Sequence, residues 1–412
     1  MSLPLSRRDA LKAFGAAAFA GIPSPAPAAA DSSPIARITR SAIIEGRDAD
    51  HEWAWFHPRG CMIPSDRSPV VLVTLQTIGG SDYFEHVHWM RSDDLGKTWT
   101  EPEPIPGMGR APVDEKTEVG VCDVVPEYHR HTDTVLAVGH NVYYREGRLA
   151  RPQGPRWPVY VVRDRGGQWS DREKLVWDDP RGSQIYTCGC AQRIVLDDGD
   201  VLIPLTFGSP ERTDRMVTSI RCSFDGKTLI PKATGNTLEN KAGRGLLEPS
   251  LTRLDGRFYM TIRAEDNRGY VSVSDDGLNW KPGQPWAWDD GEPLTMSTTQ
   301  QHWLTHSDGL FLVYTRKARN NVNVMRWRAP LFVAEVDRDA LRLRRDTEQV
   351  VLPLIGDGVN DAANVARMGN FHVTNVAPEE SWVTVGECLP PNKWRGDLLL
   401  GRIHWARPNR LV

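Results

Sequence analysis

The chain has 412 residues, 40% of them hydrophobic and 25% charged, and its formal charge of −3 lacks the basic field of a nucleic-acid binder. No run of about 20 apolar residues offers a helix long enough to cross a membrane. Fifteen Trp, 35 Gly and 30 Pro point to many short strands joined by tight turns.

Near its start the chain carries "SRRDALKAFGAAAFAG" (6–21). Arg7 and Arg8 precede a short apolar run, and Ala28, Ala29 and Ala30 form a small-residue cleavage site. This is the layout of a secretory signal of the twin-arginine type. Residues 1–30 are therefore expected to be a leader, and residues 31–412 one exported, periplasmic or extracellular domain.

Beyond the leader, apolar runs alternate with turn signals. "PVVLVTLQ" (69–76), "TVLAVGHNVYY" (134–144), "PVYVVRD" (158–164), "RIVLDDGDVLIPLTF" (193–207), "SLTRLDGRFYMTIR" (250–263), "GLFLVYTR" (309–316), "LFVAEVD" (331–337) and "SWVTVGE" (381–387) read as strands. Asp-Gly pairs inside two of them predict hairpins. No long segment carries a helical period. The class is all-β.

"RSDDLGKTWT" (91–100) places Ser92, Asp94, Gly96, Thr98 and Trp99 at offsets 0, 2, 4, 6 and 7. Degraded copies follow. "VSDDGLNW" aligns Asp275, Gly277, Asn279 and Trp280, with Val273 in the serine's place. "VRDRGGQW" keeps Asp164, Gly166 and Trp169, and "SFDGKTL" keeps Ser223, Asp225, Gly226 and Thr228. An aspartate that accepts from backbone N–H groups ahead of it and a glycine in αL make a turn clip. The tryptophan is left to pack between sheets. Recurrence at blade spacing predicts a six-bladed β-propeller with blades near 50–105, 117–178, 184–235, 245–290, 297–350 and 368–408. A strand from residues 35–45 is expected to close the ring.

The motif resembles the Asp box, or bacterial neuraminidase repeat, of the sialidase superfamily. That resemblance implies three arginines gripping a substrate carboxylate, an aspartate acid/base, and a tyrosine nucleophile activated by a glutamate, an exception to the two-carboxylate glycosidase scheme. "WFHPRGCMIP" offers Arg59 as the first arginine. Asp82, ten residues before Ser92, takes the acid/base place. "LLEPSLTRLDGRFYMTIRAEDNRGYVSVSDDGLNW" is the best local match and gives Glu248 the glutamate role and Arg263 the second arginine. For the third, Arg316, Arg319, Arg326 and Arg328 are available, and Arg328 and Arg319 sit best. Phe371 and His372 stand where the tyrosine is expected, so this branch lacks the family's nucleophile.

The leading expectation is an exo-acting glycoside hydrolase on an acidic or decorated glycan, using Asp82 and Glu248 with Arg59, Arg263 and Arg328 as the anion clamp. His57 and His140 are further substrate-binding candidates. A second reading keeps Tyr186 or a histidine as replacement machinery. A third is a lyase of uronate-containing polysaccharides, with a base drawn from His57, His86, His88, His140, Tyr143 or Tyr144. A fourth is a non-catalytic sugar-binding propeller. The six cysteines show no zinc spacing, and no acidic loop has calcium-ligand spacing, so no metal or other cofactor is expected. The expected partner is a glycan, with no nucleic acid and no membrane, and the chain is expected to be a monomer.

Overall fold

A computed structural model describes residues 33–80, 82–182, 184–209, 211–389 and 394–412. The leader expected at 1–30 lies outside the described residues. Six antiparallel sheets follow one another along the chain and form the ring of a six-bladed β-propeller. Among the described residues the helices are three short 3₁₀ turns.

Blade 1 is built from Ala54–Ile63, Val70–Gly80, Tyr83–Ser92 and Glu103–Pro104. Blade 2 has the long strands Thr117–His129 and Thr134–Arg145, then Pro158–Arg163 and Glu173–Lys174. Blade 3 runs from Ile185–Thr187 through Val201–Gly208 and Met216–Phe224 to Leu229–Thr234. Blade 4 comprises Leu247–Leu254, Arg257–Arg263, Gly269–Ser274 and Gln284–Pro285. Blade 5 comprises His302–His306, Gly309–Tyr314, Leu331–Asp337 and Arg342–Leu343. Blade 6 takes His372–Ala377, Glu380–Cys388 and Leu398–Trp405, then borrows Ile35–Ile44 as its outer strand. That pairing brings Ile35 opposite Trp405 and covers the edge of Leu398–Trp405.

The sheets form because their apolar residues are β-branched or aromatic and turn residues punctuate them. Asp255 and Gly256 both take positive φ (50° and 79°), the type I′ geometry that suits a two-residue hairpin. The core lies between blades. Val383, Val385 and Leu399 of blade 6 pack on Leu331 and Val333 of blade 5, and Trp286 and Trp303 join blades 4 and 5. Burying each such side chain contributes about 1.5–3 kcal/mol.

The serine–aspartate turns sit at strand ends. Asp94 Oδ1 accepts from the backbone N–H groups of Lys97 and Thr98 at 3.0 and 2.9 Å, and the Ser92 hydroxyl accepts from Gly96 N–H at 2.7 Å. Trp99 reaches Trp382 of blade 6, with ring centroids 5.8 Å apart. In blade 4 the alignment moves by one residue. Ser274 and Asp276, not Val273 and Asp275, hold the turn, and Asp276 Oδ1 accepts from Leu278 and Asn279 N–H at 2.9 and 2.7 Å. The blade-4 turn is one residue shorter before its glycine, which offset counting from Trp280 concealed.

Candidate functional site

The inner strand of a blade runs beside the central axis, and in blades 1, 2 and 4 its ladder with the next strand is broken near its start or middle, whereas in blade 6 the break lies at the far end, between Asn375 and Ala377. The first three breaks fall between Phe56 and Arg59, between Cys122 and Val125, and between Leu247 and Ser250. Inside them His57, Asp123 and Glu248 take φ of 51°, 56° and 46°, and in blade 3 Cys190 takes 66°. Pro58 and Pro249 lack the N–H that would continue the ladder. Left-handed backbone at a non-glycine residue is strained and persists only where the surroundings enforce it. Blades 1 to 4 thus each spend one strained residue on the floor of the central funnel.

Arg59 ties these residues together. It is fully buried. Its guanidinium donates to Asp123 Oδ1 at 2.5 Å, to the Cys190 sulfur at 3.2 Å and to the Phe371 carbonyl at 3.3 Å. Gln300 of blade 5 donates to that same carbonyl at 3.2 Å, and Asn370, just before the inner strand of blade 6, donates to Cys190 at 3.2 Å. Five blades, 1, 2, 3, 5 and 6, are joined by these contacts. His57 Nδ1 lies 3.2 Å from Asp123 Oδ1, and its ring sits 4.6 Å from that of Phe84.

The charges follow from this packing. Burial alone would raise the Asp123 carboxyl, but His57, Arg59 and His140 hold it far below the carboxylate range, so it is ionised. Burial pushes His57 down to about 4, with Asp123 pulling upward and Arg59 and Arg328 pushing further down. His57 is a neutral imidazole at pH 7. Burial, helped by Asp123, pushes the Cys190 thiol well above its usual range against the pull of Arg59. Cys190 is a thiol, not a thiolate nucleophile.

On one side of this floor lies a second cluster. Glu248 Oε1 accepts from Arg263 at 2.6 Å, and Arg263 Nε donates to Thr298 Oγ1 at 3.2 Å. Arg328 is pushed down to about 10 by burial and by the neighbouring charges of Arg263 and Arg326, with Glu248 and Asp82 opposing. Its Nε is sealed from solvent without a hydrogen bond. Arg326 has the same crowding from Arg263 and Arg244. Asp82, exposed and at φ 54° in the turn before Tyr83–Ser92, belongs to blade 1, yet it acts electrostatically on Arg326 and Arg328 of blade 5. Blade 6 stands between those two in the ring, so the interaction crosses the funnel mouth. Four guanidinium groups crowd an area holding the carboxylates of Glu248, Glu265 and Asp82.

The structure thus brings Asp82, Glu248, Arg263 and Arg328 together, with Arg59 and His57 on the floor next to them. Arg59 differs from the free clamp arginine of the expectation, since its guanidinium is already occupied by Asp123. Arg316 is drawn away by Glu348, to which Nε donates at 2.8 Å, and Arg319 is exposed. His140 is buried next to Cys122, with its Nε2 3.3 Å from the sulfur, and burial lowers it to about 3. Tyr186 donates to the Leu175 carbonyl at 3.0 Å inside the core between blades 2 and 3. Tyr144 accepts from Phe84 N–H at 3.2 Å, and His86 and His88 are engaged by the carbonyls of Ile105 and His86. Phe371 and His372 are both buried, with the Phe371 ring against His302.

Asp123, Cys190, Asn370 and Gln300 had no signal in the sequence reading. Cys122, Asp123 and His140 offer donor atoms within 4.8 Å of one another. The Arg59 guanidinium bonded to the same Asp123 carboxylate opposes a metal cation there, so this donor set does not fit one well.

No family model matches the chain, and no curated protein matches it in sequence. Solved structures do match in fold. A protein of unknown function from Dyadobacter fermentans superposes with a TM-score of 0.62 at 12% identity, covering 90% of this chain and 100% of that one. The microbial sialidase Hz136 gives 0.61 at 13%, covering 89% and 68%. Trypanosoma rangeli sialidase in complex with sialic acid gives 0.60 at 13%, covering 90% of this chain and 60% of that one. The chain therefore spans about three fifths of the trypanosomal enzyme. The fold is the six-bladed propeller that it shares with these sialidases.

Proposed function

We propose that the protein is an exported, monomeric glycoside hydrolase acting on an acidic sugar, by the twin-arginine route that its leader sequence suggests. The observation that carries this reading is Asp82 of blade 1 set across the funnel mouth from Arg326 and Arg328, beside the Glu248–Arg263 pair. Guanidinium forks match the two oxygens of a carboxylate, and the unpartnered Arg328 Nε favours an anion there. Asp82, on an exposed turn, acts as the acid that protonates the leaving oxygen. Glu248 keeps Arg263 oriented and faces the sugar. Phe371 has no phenol, so the tyrosine nucleophile of sialidases has no counterpart at this position. The sialidases among the fold neighbours support a glycan as substrate class.

The neutral imidazole of His57 beside an ionised Asp123 favours a second reading, a lyase that removes a proton α to a uronate carboxyl. A panel of sialosides and uronate-containing glycans, assayed for reducing ends and for ultraviolet absorbance, separates the two. A hydrolase releases reducing ends without a new chromophore, whereas a lyase creates an absorbing unsaturated product. Asp82→Asn is expected to slow turnover about 100-fold or more, the usual contribution of a general acid. An unchanged rate in that variant rules out Asp82 as the acid. Binding without product on any substrate leaves only a sugar-binding propeller.

A further inference from the structure

We propose that His57 and Asp123 form a general-base pair on the funnel floor, in which His57 Nε2 takes the proton of the attacking water and Asp123 orients the ring. The inference rests on the hydrolase reading and supplies the step left open by the absence of a tyrosine at Phe371.

Three observations converge. First, both residues occupy strained left-handed positions in ladder breaks of adjacent blades. Strain of this kind concentrates at functional sites, and here it turns both side chains to one point. Second, Nδ1 is the sealed nitrogen of His57, 3.2 Å from the carboxylate and otherwise without a partner, so Nε2 is the nitrogen left to meet a ligand. Alignment of the Nδ1 contact is imperfect, as in many unliganded sites that tighten on binding. Third, Asp123 is fixed by Arg59, which donates to the same Oδ1 that His57 faces and is itself anchored on Cys190 and on the Phe371 carbonyl. A base oriented by a third, immobilised group is the general logic of activated catalytic dyads.

The step balances without a further reactant. As the water oxygen bonds to the anomeric carbon, its proton passes to Nε2. The glycosidic C–O bond breaks, and the leaving oxygen takes the proton carried by Asp82. The imidazolium then returns its proton to solvent and Asp82 is reprotonated. Water attacks once, from the face opposite the leaving group, so the product has inverted configuration. His57 is the catalytic residue here, and Asp123 and Arg59 are positioning residues.

The charged and titratable groups facing His57 are Asp123 and His140 from blade 2, Arg59 from its own strand and Arg328 from blade 5. Of these only Asp123 favours the imidazolium among the causes that set His57. Its removal therefore moves the acid limb of kcat/KM to lower pH.

Two arms test the pair. In the first, the full-length protein alone is treated with diethyl pyrocarbonate at pH 7 and its peptides are mapped by mass spectrometry. Carbethoxylation of His57 is expected, slowed at least tenfold in Asp123→Asn. A wild-type His57 that stays unmodified, or one whose rate ignores Asp123, overturns the proposal. In the second, product configuration is read by proton NMR on whichever acidic glycan the panel finds. Inversion is expected, together with a 100-fold or greater loss of kcat in His57→Gln and Asp123→Asn, KM within threefold, and the acid limb of Asp123→Asn shifted downward. Retention of configuration, or a loss of thermal stability without a shift of the limb, overturns it. If no glycan is turned over, the hydrolase reading fails and the pair loses its catalytic role, while the first arm still decides whether a base is presented.

Discussion

At the scale of single residues, the buried Glu248–Arg263 pair is the most exposed to substitution. Arg263 is almost fully buried and Glu248 Oε2 is sealed without a partner. Arg263→Met is expected to destabilise the fold by on the order of 3 kcal/mol, since it strands a carboxylate beside the floor; urea denaturation checks this. Asp94 behaves oppositely. Hydrogen bonds from Thr98 hold its carboxyl at about 2, below its ordinary value near 4. A depressed carboxyl stabilises the fold above its unfolded pKa, and that contribution disappears as pH falls toward 2. Asp94→Ala should lower the melting temperature slightly at pH 7, with the difference vanishing near pH 2, and should leave turnover unchanged. Glu248 and Arg263 were legible because a Glu-Pro pair and a hairpin flank them in one stretch of chain. Asp123 and Cys190 were not, because nothing in "GVCDVVP" or "TCGCAQ" announces a ladder break. Their meaning comes only from side chains supplied by other blades.

At the scale of elements, hairpins with Asp-Gly turns were read directly, because the turn chemistry is local. The strand Thr117–His129 escaped because Asp123 and Pro126 interrupt its apolar run, and Asp123 belongs to a bulge invisible in one dimension. The blade-4 turn offers a test of close packing. Gly277 has φ 76°, and a Cβ there would stand 2.5 Å from Leu202 Cδ2 of blade 3. Gly277→Ala combines backbone strain with a clash across the blade interface, and it should cost roughly 1–3 kcal/mol. A midpoint in urea matching that of the wild type would show that the blades slide apart without penalty.

At the scale of the molecule, blade number and order followed from the spacing of the turn motif, since each blade is a repeated local unit. The funnel chemistry did not follow, because it is assembled from residues as far apart as 59 and 371. All six cysteines are free and buried. Burial raises the Cys61 thiol well beyond the ordinary thiol range, and lifts Cys188 and Cys222 to about 12. A thiol reagent such as Ellman's should therefore label almost none in the native protein and all six after unfolding, and dithiothreitol should leave the melting temperature unchanged. Rapid labelling of the native chain would contradict this packing.

The closure of blade 6 carries a consequence for how the chain reaches its structure. Thr39 and His404 bond side chain to side chain at 2.9 Å although 365 positions separate them. Loops of that length form late, and non-local pairing slows folding more than it alters stability. The ring stays open until both ends of the domain have been made, and until then the exposed edges of blade 6 invite association with other chains. A circular permutant that joins the two paired ends and opens a loop between two other blades converts this contact into a local hairpin. Such a chain should refold faster and aggregate less during refolding, with an equilibrium stability close to that of the natural order.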